Sequence, residues 1–294
     1  MDIKCLAAID IGSNAVRLLI KTIAKNPKSY PVAKKTSLVR VPIRLGEDVF
    51  VHKKVSKRNK KRMLQAMKSF KLLMQANEID GYRACATSAM RDAENGPELV
   101  ALIKAETGIE IEIIDGNDEA AIIASTDLYE LIQVDKTYLY VDVGGGSTEF
   151  TVYSKGRPVQ SRSFNIGTVR LLNNLVRDSI WREAEEWVRK NTHHYQSIRM
   201  IGSGGNINHI HKQSDRKEGK PLTFTYLSSY YQLVKSLTYE ERVTQLQMKL
   251  DRADVIVPAT KIYLSAMHWS GARKVYVPKI GLADGIVKML YNQN

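Results

Sequence analysis

No apolar run in this chain approaches the roughly 20 residues that a membrane-spanning helix needs. The apolar stretch that begins after Lys4 is cut by Asp10, short of a signal-peptide core, so a cytoplasmic, membrane-free protein is expected. Cysteine is scarce: Cys5 and Cys85 lie in apolar, strand-like runs with neither metal-ligand nor redox spacing, which suits a reducing compartment. The pattern GxxxxGK[ST] is absent, which excludes the P-loop class, and the missing G-x-S-x-G argues against a serine hydrolase. The histidine pairs His193-His194 and His209-x-His211 lack the i,i+4 spacing of a helical zinc site and read as surface or packing residues. Aromatic residues form no stacking platform and no nucleic-acid reader motif is present. Acidic residues are also in deficit, 31 against 44 lysines and arginines, and the resulting charge of +13 makes polyanions the expected partners.

What is present is organised around YLYVDVGGGSTEFTVY, residues 138 to 153. It reads as a strand ending in Asp142, a glycine turn, and a second strand beginning near Glu149. Gly144, Gly145 and Gly146 let the backbone bring N–H groups against an anion with no Cβ in the way, and Ser147 and Thr148 add hydroxyl donors. The same device occurs 132 residues earlier in LAAIDIGSNAVRLLI, where Asp10 precedes the polar turn of Gly12, Ser13 and Asn14. Two copies of strand, Asp-x-Gly, small turn and strand in 294 residues predict two similar domains facing one cleft.

Between the hairpins, the stretch from Ser29 should form a further strand closed by Gly46. Ser56 then caps an amphipathic helix carrying Met63, Met67, Phe70 and Met74, its first half strongly basic. That basic face is either a solvated surface or a guide for an anionic substrate. In GYRACATSAMRDAENG a strand runs into a short helix, with Thr87 and Ser88 as caps and Arg91 one turn inside, a place where a phosphate can be held. A helix from Pro97, a Gly108 stop and a strand from Ile109 to Ile114 continue an α/β alternation. Asp118 and Glu119 open a helix running past Leu128 and Leu131. Beyond the second hairpin come a strand from Val159 to Phe164 and helices over 168–176 and 181–191. A strand from Ile198 then enters GSGGN, where Gly204 and Gly205 make another phosphate-type loop. Ser214 to Pro221 reads as an exposed loop, and Thr238 with Glu241 as a capping box. A mostly apolar helix holds Pro258 inside it, and a last strand precedes a C-terminal helix.

Taken in order, AIDIGSNAVRLLI, ATSAMRDAENG, IIDGNDEA, VDVGGGSTEF, IGSGGN, RADVIVPA and GLADGIV resemble the exopolyphosphatase and guanosine-pentaphosphate phosphohydrolase family, in its short two-domain form. The resemblance spans nearly the whole chain. It implies two ribonuclease-H-like (actin-like) α/β domains, an N-terminal one over 1–124 and a C-terminal one over 125–294, with helix 281–294 packing back on the first. It also implies a catalytic set of Glu119, Asp142 and Glu149, with Glu119 activating water and Asp142 and Glu149 holding a divalent metal, Mg²⁺ or Mn²⁺, or orienting that water. Phosphate binding falls to Gly12, Ser13, Asn14, Ser88, Arg91, Gly144, Gly145, Gly146, Ser147, Gly204 and Gly205. Ala15, Asp118, Asp48 and the SGGN loop depart from the family's commoner residues, the last two bearing on substrate choice.

The function implied is removal of a terminal phosphate from inorganic polyphosphate or guanosine pentaphosphate, the polyanionic substrate being the expected partner and a homodimer an allowed assembly. The chemistry suits the residues, since attack on a phosphoryl group needs a positioned water, a base and donors on the charged oxygens. The alternatives are an ATP-dependent kinase or ATPase of the actin-like superfamily, and a module that binds polyphosphate or an alarmone without turning it over.

Overall fold

The computed structural model describes residues 2–25, 31–126, 128 and 131–293. The chain divides into two compact units, Met1–Thr126 with Leu282–Asn294, and Asp127–Gly281. Each is α/β, built on one sheet.

In the first unit, strands β1 (Asp2–Ile11), β2 (Val16–Lys25) and β3 (Val32–Val41) form an antiparallel meander. Helices α1 (Leu45–His52) and α2 (Lys57–Ala76) follow, then β4 (Gly81–Ala86), α3 (Ser88–Asp92), α4 (Gly96–Thr107), β5 (Ile111–Ile113) and α5 (Gly116–Ala124). The sheet order is β3-β2-β1-β4-β5, with β4 parallel to β1 and β5 parallel to β4. Leu6 to Ile11 are all buried, as a strand covered on both faces must be. Edge strand β3 instead shows Lys34 and Lys35 to solvent, which discourages pairing with another chain. Met63, Met67, Phe70 and Met74 of α2 are buried, each contributing roughly 1.5–3 kcal/mol.

The second unit repeats the plan. Strands β6 (Thr137–Val143), β7 (Thr148–Ser154) and β8 (Arg157–Phe164) form the meander. They are followed by α6 (Thr168–Leu172), α7 (Asp178–Thr192), β9 (Ile198–Ser203), α8 (Gly205–Gln213), β10 (Leu222–Thr223), α9 (Phe224–Ser236), α10 (Tyr239–Thr244), α11 (Leu250–Ala253), α12 (Ile256–Ser270) and β11 (Lys274–Tyr276). Its sheet runs β10-β11-β9-β6-β7-β8. Phe150, Phe164 and Trp187 meet edge-on or tilted at 5.8–6.4 Å, seating α7 on the meander. The last helix, α13 (Leu282–Gln293), belongs to the first unit and packs on β1, β4 and α5.

Several expectations need correcting. Gly46 does not close a strand: β3 stops at Val41 and Gly46 is the second residue of α1, where a Cβ would press on the Phe50 ring at 2.8 Å and on Ser13 Cβ at 3.1 Å. Ser29 and Tyr30, at the start of that expected strand, lie outside the described residues. The helix opened by Asp118 ends at Ala124, with Asp127, Tyr129 and Glu130 outside the described residues. Pro258 is not in a helix interior but in the first turn of α12, where its missing N–H costs no hydrogen bond. Helix α9 had no counterpart in the sequence reading. The Thr238–Glu241 capping box and the Ser56 cap are both made.

Candidate active site

The two hairpin turns share one geometry. Asp10 to Arg17 and Asp142 to Glu149 are eight-residue segments whose ends pair in register, Asp10 with Arg17 and Asp142 with Glu149. In each, the first turn glycine donates its N–H to the carbonyl three residues on, Gly12 to Ala15 at 3.1 Å and Gly144 to Ser147 at 2.9 Å. The backbone closes so tightly that a Cβ on either glycine would sit 3.1–3.2 Å from that carbonyl.

Each turn is also held from behind by a short helix. The amides of Thr168 and Val169, opening α6, donate to the carbonyls of Gly144 and Gly145 at 3.0 and 2.9 Å. The buried Arg170 donates from Nε to the Gly146 carbonyl at 2.7 Å. Across a trans peptide, one residue's carbonyl and the next residue's N–H point in opposite directions. The N–H groups of Gly145, Gly146 and Ser147 are therefore directed away from α6 as a set of three donors. In the first unit the start of α1 plays the same part: Gly46 and Arg44 donate to the carbonyls of Ser13 and Asn14 at 2.8 and 3.0 Å, turning the N–H groups of Asn14 and Ala15 away. Fixed backbone donors of this kind are suited to an oxyanion. Gly167 permits the close approach of α6, because a Cβ there would overlap the Gly145 carbonyl.

The rest of the first unit's set gathers at the strand ends. Thr87 and Ser88 do not cap α3 as expected: no side-chain cap bond is made. The Ser88 hydroxyl instead pairs with that of Ser13 at 2.9 Å, both buried, joining the β1–β2 turn to the start of α3. Arg91 donates to the Ile114 carbonyl at 2.7 Å, which commits one of its five donors and fixes the chain entering α5. Asp115 caps α5 by accepting from the amides of Asn117 and Asp118, which places half-buried Glu119 in the first turn. Glu119 lies within electrostatic reach of Cys85, the register partner of Asp10. Burial pushes the Asp10 carboxyl above its usual range, opposed by Arg17 at 3.0 Å and reinforced by Asp284. Burial likewise pushes the Cys85 thiol up to about 12.

In the second unit, register aligns Ser203, Asp142, Glu149 and Ser163 across four adjacent strands. Glu149 is buried and accepts the Ser163 hydroxyl at 2.8 Å. Gly204, at φ 111°, begins α8 directly over Asp142: a Cβ there would lie 3.4 Å from Asp142 Oδ1, 3.2 Å from the Tyr263 hydroxyl and 3.0 Å from the Val143 carbonyl. Buried Tyr263 donates to the Ser203 carbonyl, and Ser203 Oγ donates to the Ile280 carbonyl at 2.8 Å. Gly204 and Gly205 thus join Asp142, with the electropositive helix start beside a carboxylate. The anchoring residues Arg170, Gly167, Ser163 and Tyr263 were not singled out in the sequence. Their roles depend on contacts from other strands and helices, which no local pattern signals.

A profile of the Ppx/GppA phosphatase family matches residues 30–293. The chain belongs to the Ppx/GppA phosphatase family. Among solved structures, a Ppx/GppA family member from Aquifex aeolicus superposes with a TM-score of 0.78 at 24% identity, over 100% of this chain and 99% of that one. An exopolyphosphatase from Cytophaga hutchinsonii gives 0.84 at 21% identity, over 99% and 98%. These likenesses establish the two-domain, actin-like Ppx/GppA fold. In sequence the chain is 31% identical over 179 residues to Exopolyphosphatase 2 of Mycobacterium tuberculosis, 58% of this chain and 54% of that protein. It is 30% identical over 210 residues to a bifunctional 3-dehydroquinate synthase/phosphatase of Fusobacterium nucleatum, 66% of this chain and 31% of that one. The matched segments span about half or less of those relatives' lengths. Among the described residues no helix of this family member is long and apolar enough to cross a membrane.

Proposed function

We propose that this chain is a phosphohydrolase that releases the terminal phosphate of inorganic polyphosphate, with guanosine pentaphosphate as the second substrate to be tried. The observation that carries the reading is the duplicated turn. Each unit presents backbone N–H donors held by hydrogen bonds behind them, so they need no reorganisation when charge builds on a phosphoryl oxygen. Family membership and the exopolyphosphatases among the relatives support the same reaction class.

The roles are assigned unit by unit. In the first, Glu119 is the base that takes a proton from the attacking water, and the turn from Gly12 to Asn14 with Ser88 and Arg91 binds phosphate oxygens. In the second, the turn from Gly144 to Ser147 and the start of α8 at Gly204 and Gly205 bind phosphate. Asp142 and Glu149, opposite one another on adjacent strands, fit Mg²⁺ or Mn²⁺, which commonly take one or two carboxylates and complete their shell with water and substrate phosphates. Such an ion, when bound, would neutralise charge on the transferred group. The Ser163 hydroxyl, donating to Glu149 Oε1, orients that carboxylate.

Phosphate release from tripolyphosphate, long-chain polyphosphate, guanosine pentaphosphate and ATP, each with Mg²⁺, tests the reading. Wild type should hydrolyse a polyphosphate, and Glu119→Gln should reduce kcat by about 10²–10⁴-fold with binding retained. Undiminished turnover by Glu119→Gln removes the base assignment. Binding without turnover by wild type replaces the enzyme with a sensor.

A further inference from the structure

Residues 49–77 contain nine lysines and arginines and not one aspartate or glutamate. This basic segment covers the end of α1, the connection after it and all of α2. Acids within the helix would offer i,i+4 partners, but here the acids that reach α2 come from outside it: Asp48 of α1 accepts from the Ser56 amide and the Asn59 side chain at its start, and the remaining ion pairs lie toward α4. Lys60 meets Glu98 at 2.7 Å and Lys68 meets Glu106 at 2.8 Å, while Lys54 meets Glu94 at 3.2 Å. Arg62 is spent on the carbonyls of Pro42 and Ile43. Lys53, Lys57, Arg58 and Lys61 remain exposed, with no acidic partner among the described residues. Lys57 and Lys61 stand one helical turn, about 6 Å, apart on the face opposite the buried methionines, and Arg58 flanks them.

Topology gives the location of this face within the first unit. Helix α2 ends at Ala76 and the chain enters β4 at Gly81 after a tight connection, in which the Asp80 amide donates to the Cys5 carbonyl. The start of α2 is therefore at the opposite edge of the sheet, where β1 and β4 end. That is the edge bearing the Gly12–Asn14 turn and Ser88. Helix α1, whose first turn grips that turn and which spans about 12 Å, leads directly from it to Lys53.

Resting on the phosphohydrolase reading, we infer that the face formed by Lys53, Lys57, Arg58 and Lys61 is a docking surface for the distal part of a long polyphosphate chain whose terminal phosphate is being cleaved. Charge complementarity selects a polyanion. The composition of the face favours an unbranched phosphate polymer over nucleic acid, because the nearby phenyl rings, Phe50 and Phe70, are buried and closed to base stacking. The surface distinguishes long chains from short ones: tripolyphosphate engages the turn alone, and a long chain also engages the lysines.

The test compares wild type with a variant combining Lys57→Gln, Arg58→Gln and Lys61→Gln, exposed positions where glutamine keeps helix propensity. For long-chain polyphosphate, KM should rise about tenfold with kcat unchanged, and both constants for tripolyphosphate should stay as they were. The slope of log affinity against log salt for the long chain, read by fluorescence anisotropy, should become shallower by about two. An unchanged long-chain KM, or equal losses on both substrates, overturns the inference. So does a variant that keeps polyphosphate affinity but loses duplex DNA, which assigns the face to nucleic acid. If wild type cleaves neither substrate, the phosphohydrolase reading fails, while the anisotropy arm still decides whether the face binds the long chain.

Discussion

His209 on α8 is held down to about 4, first by burial and then by the charges of Arg252 and Lys212. In the unfolded chain it titrates near 6.5. Between those values the unfolded state takes up a proton that the folded state refuses, so this contribution to stability is complete above about pH 6.5 and is lost as pH falls toward 4. Thermal unfolding from pH 7 to pH 4 should show a steeper loss in wild type than in His209→Phe, which has nothing to titrate there. Parallel curves would mean the imidazole is not desolvated. At the same scale, Gly167→Ala inserts a methyl into the Gly145 carbonyl. The φ of Gly167 is −120°, which alanine adopts freely, so the effect is steric alone. A loss of about 1–3 kcal/mol in urea unfolding, with a raised KM as the donor turn shifts, is expected. A variant with wild-type stability and KM would show that α6 does not fix the turn.

At the scale of elements, the hairpins were legible because strand, turn and strand are local: an apolar run ending in Asp-x-Gly needs no distant partner to be read. Ser56 and the Thr238–Glu241 box were legible for the same reason, since a cap bonds backbone three residues away. Helix α1 was not, because Gly46 looks like a turn residue and serves instead as the gap that lets α1 meet Ser13. Thr87 and Ser88 looked like caps, yet the Ser88 hydroxyl was drawn to Ser13, a partner 75 residues away in sequence. The short helices behind the turns illustrate the general difficulty. A sequence can show which residues bear chemistry, but the anchors that aim them, such as Arg170 on the Gly146 carbonyl, are chosen by tertiary contact.

For the whole molecule, the first unit is discontinuous, formed by residues at both ends of the chain. Helix α13 buries Leu282, Ala283, Ile286 and Val287, and Gly285 allows it to touch the Ile122 backbone of α5. Asp284 meets Lys21 of β2 at 2.6 Å. Residues 1–126 alone should therefore be unstable and expose apolar surface, while the same segment joined by a flexible linker to 282–294 should fold. Circular dichroism melts of the two fragments check this. A cooperative melt of 1–126 alone, at the temperature of the linked form, would show α13 to be dispensable.

That discontinuity also sets the order in which the protein can be made. A ribosome releases the first unit's sheet before the second unit, but the helix that seals β1, β4 and α5 emerges only after that second unit. The second unit, contiguous over residues 127–281, is complete before the first can close. The unit whose sheet is made before the other is thus completed after it, and its unsealed sheet must stay in solution for the time taken to translate residues 127–281.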